Sequence, residues 1–304
     1  MYHRVVEDLP EGLYDPAMFV TSSSLSMQIQ EITKIYDIVP LSNILDANNK
    51  TNRGKCAITF DDGWRDNYTY AFPILKAFHV PSTIFVPINK IGPRQKFWFQ
   101  DLWDLASVAD KGNLEKQFIQ YFSGAVPSWK PSSIGIEQIS VLINQVKEFP
   151  AEKSEGLVAG AYEKLGVKAS VKDETLCLEE MREMGSHGVS FGVHGLNHRI
   201  LPRLGSGEKK REVVDSLSAL KKLDLQMTNF FCYPNGDWDE ETVSYVKDAG
   251  YKGAVTTSLG INRETSDPFL LSRVGVHEEI TNSPSLFWFR VCQAMVARAS
   301  VHGS

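Results

Sequence analysis

The sequence predicts an α/β protein in which about seven parallel strands and their helices form a distorted (β/α) barrel. Short apolar runs alternate with helical patterns along most of the 304-residue chain, and this alternation is typical of a parallel sheet. Several of these runs end abruptly in charged residues or in histidines. Such endings are expected of strands that deliver polar side chains to one edge of a sheet, where α/β enzymes carry out their chemistry.

The first half of the chain supplies four predicted strands and two predicted helices. Segment 22–36 begins with serines suited to helix capping and carries Leu25, Ile29 and Ile32 at helical spacing. Segment 82–87 is rich in β-branched and aromatic residues, as is typical of a strand. The predicted strands are 2–6, 37–41, 56–60 and 82–87, and the predicted helices are 22–36 and 67–78.

The second half repeats the alternation of strands and helices. Segment 208–223 has the charged, amphipathic pattern of a surface helix, and Gly250 follows segment 239–249 in the position of a helix C-terminal cap. The predicted helices are 176–184, 208–223 and 239–249, and the predicted strands are 189–193, 229–233, 254–257 and 269–274.

Two segments stand outside this alternation, although we treat residues 1–304 as one domain. Segment 92–175 contains helical patterns and no convincing strand, so we interpret it as a helical cap insertion. An ordinary long excursion packed on the side of the barrel is the alternative. Segment 284–299 predicts a C-terminal helix with one apolar face. Packing against the barrel is the usual reason for such a face, and a membrane or dimer contact is the alternative.

Composition and charge limit the class of partner. A net charge of −5 and a pI near 5.8 argue against nucleic acid as the main ligand, because a phosphate-binding surface needs a basic excess. The four scattered cysteines are interpreted as free thiols. No stretch is long and apolar enough to predict a transmembrane helix, and the first residues lack the pattern of a signal sequence. We therefore expect a cytoplasmic protein, and a removed leader remains an open alternative.

The chemistry is concentrated in two motifs that follow predicted strands. Asp61 and Asp62 are adjacent, which is electrostatically costly unless positive groups lie beside them. His194 and His198 follow the predicted strand 189–193. Two imidazoles and one carboxylate suit zinc and other divalent first-row metals, and leave coordination positions open for water and substrate.

These motifs resemble those of a known family, the polysaccharide deacetylases, also called the NodB-homology or carbohydrate esterase family 4 enzymes. Thr59-Phe60-Asp61-Asp62-Gly63 resembles the first motif of the family, and His194-x-x-x-His198 resembles the second. The start of the chain resembles a Tyr-His-Arg branch that is seen in envelope polysaccharide synthesis. The remaining matching segments are 1–5 (the opening strand), 67–85 (which continues the first-motif region), 180–192 (which leads into the second motif), 231–236 (the third motif) and 271–274 (a late strand).

The resemblance implies a role for each matching residue. Asp62, His194 and His198 would bind a divalent metal ion, most often zinc, and Asp61 would be the general base that takes a proton from water. The backbone amide of Asn235 would stabilise the oxyanion.

Three departures from the family pattern affect this assignment. Gly195 replaces the usual Ser or Thr between the histidines, so a loop-fixing hydroxyl is missing. Cys232 replaces an arginine that orients the base in many members, and Arg273 is either its substitute or an ordinary structural arginine. The late motif that supplies the general acid is not evident. His3 is the preferred candidate for that role and His277 the second, and a structural histidine is the alternative for each.

Three aromatic residues are candidates for stacking on a sugar ring, and core packing is the alternative for each of them. They are Trp64, Phe97 and Trp98.

Taken together, the residues and the resemblance predict a metal-dependent hydrolase that removes an N-acetyl group from an amino sugar in a saccharide or glycan. An amidase acting on a non-sugar C–N bond is one alternative, and a catalytically silent barrel that binds glycan is another. The identity of the sugar, the acyl group and the oligomeric state stay open.

Overall fold

A computed structural model of the chain describes residues 1–46, 53–92, 96–110, 112–169 and 174–297. Ten strands occur within these ranges: β1 (Arg4–Val6), β2 (Phe19–Thr21), β3 (Tyr36–Ile38), β4 (Gly54–Cys56), β5 (Ile58–Phe60), β6 (Ser82–Val86), β7 (Val189–Val193), β8 (Met227–Cys232), β9 (Gly253–Leu259) and β10 (Leu271–Arg273).

Eleven α-helices occur within the same described ranges. They are α1 (Ser22–Ile35), α2 (Phe72–Phe78), α3 (Trp98–Ala109), α4 (Asn113–Ala125), α5 (Ile136–Val146), α6 (Ala151–Leu165), α7 (Leu178–Gly185), α8 (Ser206–Lys221), α9 (Glu240–Asp248), α10 (Glu278–Thr281) and α11 (Pro284–Val296). A single π-helical turn, Asn67–Ala71, leads directly into α2.

The central sheet has six strands in the order β10-β9-β8-β7-β6-β5, and every neighbouring pair is parallel. Ile84 in the middle of β6 is in register with Phe60 of β5 and Phe191 of β7. The strands carry nearly continuous apolar runs because a parallel sheet is covered on both faces. This arrangement confirms the predicted α/β class and the distorted barrel.

The first residues of the chain connect the two edges of this sheet. The backbone N–H of Tyr2 donates to the carbonyl of Thr59, and the N–H of Asp61 donates to the carbonyl of Tyr2, both at 2.9 Å. The amino group of Met1 donates to the carbonyl of Val274 at 2.8 Å. Residues beside β5 and β10 are therefore joined through Met1 and Tyr2.

The strand predicted at 2–6 differs from the observed one. Tyr2 bridges to Phe60 of the central sheet, whereas β1 pairs with β2, which was not predicted. The strand predicted at 37–41 is observed as the shorter β3, which begins one residue earlier and ends three residues earlier, and it pairs with the unpredicted β4. Both missed strands are three residues long, too short for an alternating pattern to be recognised in the sequence.

Contacts divide the chain into two compact units. The first comprises Met1–Asp8, Ala17–Pro93 and Asp173–Ser304, and contains the central sheet. The second comprises Leu9–Pro16 and Arg94–Lys172. It contains α3 to α6, which fall within the predicted insertion 92–175, and has its own buried core around residues such as Trp103, Phe118 and Trp129.

The last helix, α11, belongs to the first unit. Phe287 and Val291 are buried in the main core, and the indole N–H of Trp288 donates to Glu31 of α1 at 2.9 Å. Its opposite side is open, with Phe289 62% exposed. The predicted end of this helix at residue 299 lies outside the described residues. Across the described part of the chain, no helix combines the length and apolarity needed to span a membrane.

Candidate active site

The predicted site residues follow the carboxyl ends of the central strands. Asp61 and Asp62 follow β5, His194 follows β7 and Arg273 is the last residue of β10. Because parallel strands end at the same edge of a sheet, these side chains meet although they are far apart in sequence. Asp62 adopts a left-handed backbone conformation, with φ of 74°, where the chain turns sharply after the strand.

Three side chains form a group that can hold a metal ion. The Oδ1 atom of Asp62 lies 3.4 Å from Nε2 of His194 and 3.1 Å from Nε2 of His198. The ligand atoms of the three residues all lie within 4.8 Å of one another. Two imidazole nitrogens and one carboxylate oxygen are ligands that zinc and related divalent ions prefer.

The surroundings orient two of these ligands. The Nδ1 atom of His194 lies 2.8 Å from the carbonyl oxygen of Cys232 and donates its proton there in a hydrogen bond. Nε2 is therefore the ring nitrogen that faces Asp62 and would bind a metal ion. The indole N–H of Trp64 donates to Oδ2 of Asp62 at 3.0 Å, which leaves Oδ1 facing the histidines. A metal ion therefore fits this donor set.

Trp64 is fully buried, with 0% of its surface exposed. Of the two interpretations of this residue, stacking on a sugar is therefore wrong, and packing with a hydrogen bond to Asp62 replaces it. In the second unit, Phe97 is buried and Trp98 packs on the unit's core.

Asp61 faces a different partner from its neighbour. The guanidinium of Arg273 donates to both carboxylate oxygens of Asp61, at 2.7 and 2.6 Å, and both residues are buried. Burial alone would raise the pKa of Asp61, but the charge and hydrogen bonds of Arg273 lower that pKa to about 2. Asp61 is therefore ionised at neutral pH.

Cys232 lies beside this ion pair. Its Sγ atom is 3.5 Å from Oδ2 of Asp61 and 3.3 Å from the guanidinium of Arg273. Burial raises the pKa of the Cys232 thiol, so the thiol stays protonated. It donates a hydrogen bond to the carboxylate of Asp61. Arg273 thus reaches Asp61 from β10, and the position where many family members carry an arginine holds a thiol.

The two adjacent carboxylates are stabilised by separate sets of groups. Burial alone would raise the pKa of Asp62, but the charge of His198 and the hydrogen bonds of both histidines hold that pKa well below its usual range. The charge and hydrogen bonds of Arg273 lower the pKa of Asp61 in the same way. Asp62 therefore lies with the two histidines, and Asp61 lies beside the fixed guanidinium of Arg273.

The two candidate acids occupy different places. His3 lies beside the base, with Nε2 at 4.0 Å from Oδ2 of Asp61 and the side chain 20% exposed. The side-chain amide of Asn67 donates to the carbonyl of His3 at 2.8 Å and holds this segment. His277 precedes α10, where its carbonyl accepts a hydrogen bond from the Thr281 hydroxyl at 2.7 Å.

Asn235 lies in the turn that follows β8. Its backbone is left-handed, with φ of 61°, and its side-chain amide donates to Asp237 at 2.8 Å. Gly236 also has a positive φ, and a Cβ atom there would lie 1.9 Å from Oγ1 of Thr257, so this position requires glycine. A Cβ atom built on Gly195 would lie 3.8 Å from Pro234, so the turn adjoins the histidine loop.

The sequence interpretation missed Glu212. This residue lies on α8, and its carboxylate accepts hydrogen bonds from the loop between the two histidines. The available signal was a glutamate next to Val213 on the apolar side of an amphipathic helix, where an unpaired charge is costly.

Comparisons with known proteins agree with this site. A family model described as "Polysaccharide deacetylase" matches residues 48–106 and 159–254, just over half of the chain. The chain is 23% identical over 243 residues to "Putative polysaccharide deacetylase YxkH" of Bacillus subtilis (strain 168). The aligned region covers 80% of this chain and 59% of that relative, so the chain spans less than two thirds of the relative's length.

Two solved structures share the fold. The deacetylase PplD of Streptococcus pyogenes, solved in complex with acetate, has a TM-score of 0.60 at 20% identity, covering 97% of this chain and 96% of that chain. IcaB from Ammonifex degensii has a TM-score of 0.59 at 16% identity, covering 95% and 94%. The family match includes the Asp61-Asp62 motif and the histidine pair, and the chain belongs to the polysaccharide deacetylase family.

Proposed function

We propose that the protein is a metal-dependent hydrolase that removes the N-acetyl group from an amino sugar in a saccharide or glycan. The proposal rests on one observation: the adjacent carboxylates of Asp61 and Asp62 have different partners. Arg273 holds one carboxylate as an ionised base, and the other faces two histidines in a metal-binding arrangement. The family membership supports an acetamide of a sugar as the substrate.

Zinc is the proposed metal, held by Asp62, His194 and His198. The donor set of two imidazoles and one carboxylate matches catalytic zinc sites that keep a position open for water or substrate. When bound, such an ion polarises the acetamide carbonyl and lowers the pKa of water toward neutrality.

The residues of the chain then have distinct roles. Asp61 accepts a proton from the water that attacks the acetamide carbon, and Arg273 keeps its carboxylate ionised and oriented. The backbone amide of Asn235 stabilises the oxyanion. His3, beside Asp61 and partly exposed, donates a proton to the leaving nitrogen. The C–N bond breaks as the new C–O bond is retained, so the products are acetate and a free amino sugar.

The proposal is tested by measuring acetate release from a panel of N-acetylhexosamine substrates, from monosaccharides to oligosaccharides. The zinc-loaded protein is compared with Asp61→Asn, which preserves size and removes the base. We expect the variant to lose roughly 10²–10⁴-fold in rate, the range typical of general-base catalysis.

Asp37→Asn is the matched control, because Asp37 also pairs with an arginine: the guanidinium of Arg53 donates twice to Oδ1 of Asp37, in an exposed position away from the site. It is expected to retain full activity. Equal release by the protein and Asp61→Asn would refute the mechanism. Zinc binding without release from any substrate would refute the sugar deacetylase assignment and favour the amidase or the glycan-binding barrel.

A further inference from the structure

The loop between the two metal-binding histidines has an unusual backbone. Gly195 and His198 both have positive φ values, of 77° and 58°, and the second is uncommon for a residue with a side chain. The loop carbonyls of Gly195 and Leu196 accept hydrogen bonds from the backbone N–H groups of Ile88 and Asn89, at 3.1 and 2.8 Å. These bonds leave the N–H groups on the other side of the loop to be satisfied elsewhere.

Glu212 satisfies them. One carboxylate oxygen, Oε2, accepts from the backbone N–H of Leu196 at 2.7 Å and from that of Asn197 at 3.0 Å. The other, Oε1, accepts from the side-chain amide of Asn197 at 2.7 Å. Glu212 is 4% exposed, and a buried carboxylate is tolerated when several donors surround it in this way.

The position of the Glu212 carboxylate requires a residue without a side chain at position 195. A Cβ atom at Gly195 would lie 3.0 Å from Oε2 of Glu212, so a side chain at 195 would press on the carboxylate. The sequence departs from the family at this position, where a serine or threonine hydroxyl is usual. The carboxylate from α8 occupies the space beside Gly195 and bonds the next two residues of the loop.

We propose that Glu212 is a positioning residue of the metal centre, which sets the relative geometry of His194 and His198 from α8 and replaces the missing hydroxyl. A carboxylate that bonds two successive backbone N–H groups restricts the loop at both residues between Gly195 and His198. Because Glu212 lies on a 16-residue helix, the loop is held by a rigid element. The inference rests on the metal centre of the proposed function.

The test compares Glu212→Gln and Glu212→Ala with the matched control Glu208→Gln. Glu208 lies one turn earlier on α8 and forms a more exposed ion pair with Arg199, the residue after His198, at 3.1 Å. Zinc affinity of the metal-stripped proteins is measured by calorimetry with a competing chelator. Hydrogen exchange at the Leu196 and Asn197 amides is measured on the metal-free proteins.

We expect both Glu212 variants to lose roughly 10–100-fold in zinc affinity, the range typical of residues that orient metal ligands. The two loop amides are expected to exchange faster in these variants. Glu208→Gln is expected to keep the affinity and exchange rates of the unmodified protein. Gly195→Ala is expected to weaken zinc binding as well, because its Cβ atom would press on the Glu212 carboxylate and because alanine is strained at a φ of 77°.

Unchanged zinc affinity in folded Glu212→Gln would overturn the inference, and so would an equal loss in Glu208→Gln. Circular dichroism establishes that each variant is folded, and the conservative Gln variant carries the test if the Ala variant does not fold. Absence of zinc binding by the unmodified protein would overturn the proposed metal function itself. That outcome is distinct from a failure of Glu212 alone, in which the unmodified protein binds zinc and the variants bind it equally well.

Discussion

At the scale of single residues, the central problem is the cost of two adjacent buried carboxylates. Each would repel the other if both were ionised in an apolar environment. In the structure the two carboxylates face different partners: the guanidinium of Arg273 pairs with Asp61, and the imidazoles of His194 and His198 face Asp62. These partners offset the repulsion, and they also separate the two side chains by function. Asp61 is held beside a cation, and Asp62 belongs to the group that can hold a metal ion.

The Arg273 ion pair predicts a large effect on stability. Arg273→Met leaves Asp61 buried without its cation, and breaking a buried pair in this way costs about 3–5 kcal/mol. We expect a loss of this size in the free energy of unfolding of the metal-free protein, measured in urea at neutral pH. The exposed Arg263→Met is the control, and a similar loss in both variants would contradict the expectation.

The bond from Trp64 to Asp62 predicts an effect on metal binding. Trp64→Phe removes the indole N–H that occupies Oδ2 of Asp62, so the carboxylate loses the group that orients it. We expect zinc affinity to fall by roughly 10-fold or more, as for other residues that orient metal ligands. Trp288→Phe is the control, because it removes an equivalent indole hydrogen bond from α11 to Glu31 of α1 and should leave zinc affinity unchanged.

Some residues of the site could be predicted from the sequence and others could not. Asp61, Asp62, His194 and His198 could be predicted because each pair forms a short local pattern after a strand. Arg273 could be proposed only as one of two alternatives, since its contact with Asp61 spans the sheet. The bonds from Trp64 and Glu212 could not be predicted, because they depend on side-chain orientation and on the packing of α8.

At the scale of elements, long segments with clear periodicity were predictable and short ones were not. The strand predicted at 189–193 is confirmed as β7, and the helix predicted at 239–249 is observed as α9 with bounds one residue inside. By contrast, β2 and β4 pair outside the central sheet. These short strands are stabilised by pairing with strands elsewhere in the chain, and the local sequence pattern does not indicate this pairing.

The start of α9 predicts a pH dependence. Asp239 accepts from the N–H of Thr242 at 2.8 Å as the N-terminal cap and forms an ion pair with Lys209. Burial opposes ionisation, but the hydrogen bonds from Lys209 and Thr242 lower the pKa of Asp239. Because its pKa is lower in the folded state than in the unfolded chain, Asp239 stabilises the fold above its unfolded pKa. That contribution is lost as the pH falls through the folded pKa.

We therefore expect Asp239→Ala to lower the free energy of unfolding by about 1 kcal/mol at pH 7, the usual value of a helix cap. The difference from the unmodified protein should shrink as the pH falls below about 4, where the unfolded carboxyl is protonated. Urea unfolding at several pH values measures both quantities. Asp248→Ala, at the unfavourable C-terminal end of the same helix, should not destabilise the protein. A constant difference at all pH values would contradict the argument.

At the scale of the whole molecule, the α/β barrel could be predicted from the alternation of elements alone. The number of strands in the central sheet could not be predicted, because different residues of the first predicted strand, 2–6, pair with different partners. Tyr2 joins Phe60, and β1 joins β2. This division is set by the closure of the sheet around Met1 and Tyr2, which involves residues near both ends of the chain.

Metal removal is expected to change the stability of the entire unit that contains the sheet. Zinc at about 100 times its dissociation constant should stabilise the folded state by about 2.7 kcal/mol. Thermal unfolding with zinc, after chelation and after zinc is restored should show a reversible fall and rise in Tm. Asp62→Asn should show a much smaller response. An identical Tm in all three conditions for the unmodified protein would refute a metal site in the folded state.

The contact between Asp61 and Arg273 also has a consequence for the order of folding. The two residues are 212 positions apart. Asp61 directly follows β5 and Arg273 ends β10, and these strands lie at opposite edges of the sheet. Contacts between such distant residues close large loops, so they form late, after local structure is in place. A chain that stops folding before β10 docks therefore lacks its ionised and oriented base. The proposed hydrolytic activity should appear during refolding only when the last edge strand has joined, which makes acetate release a reporter of completed folding.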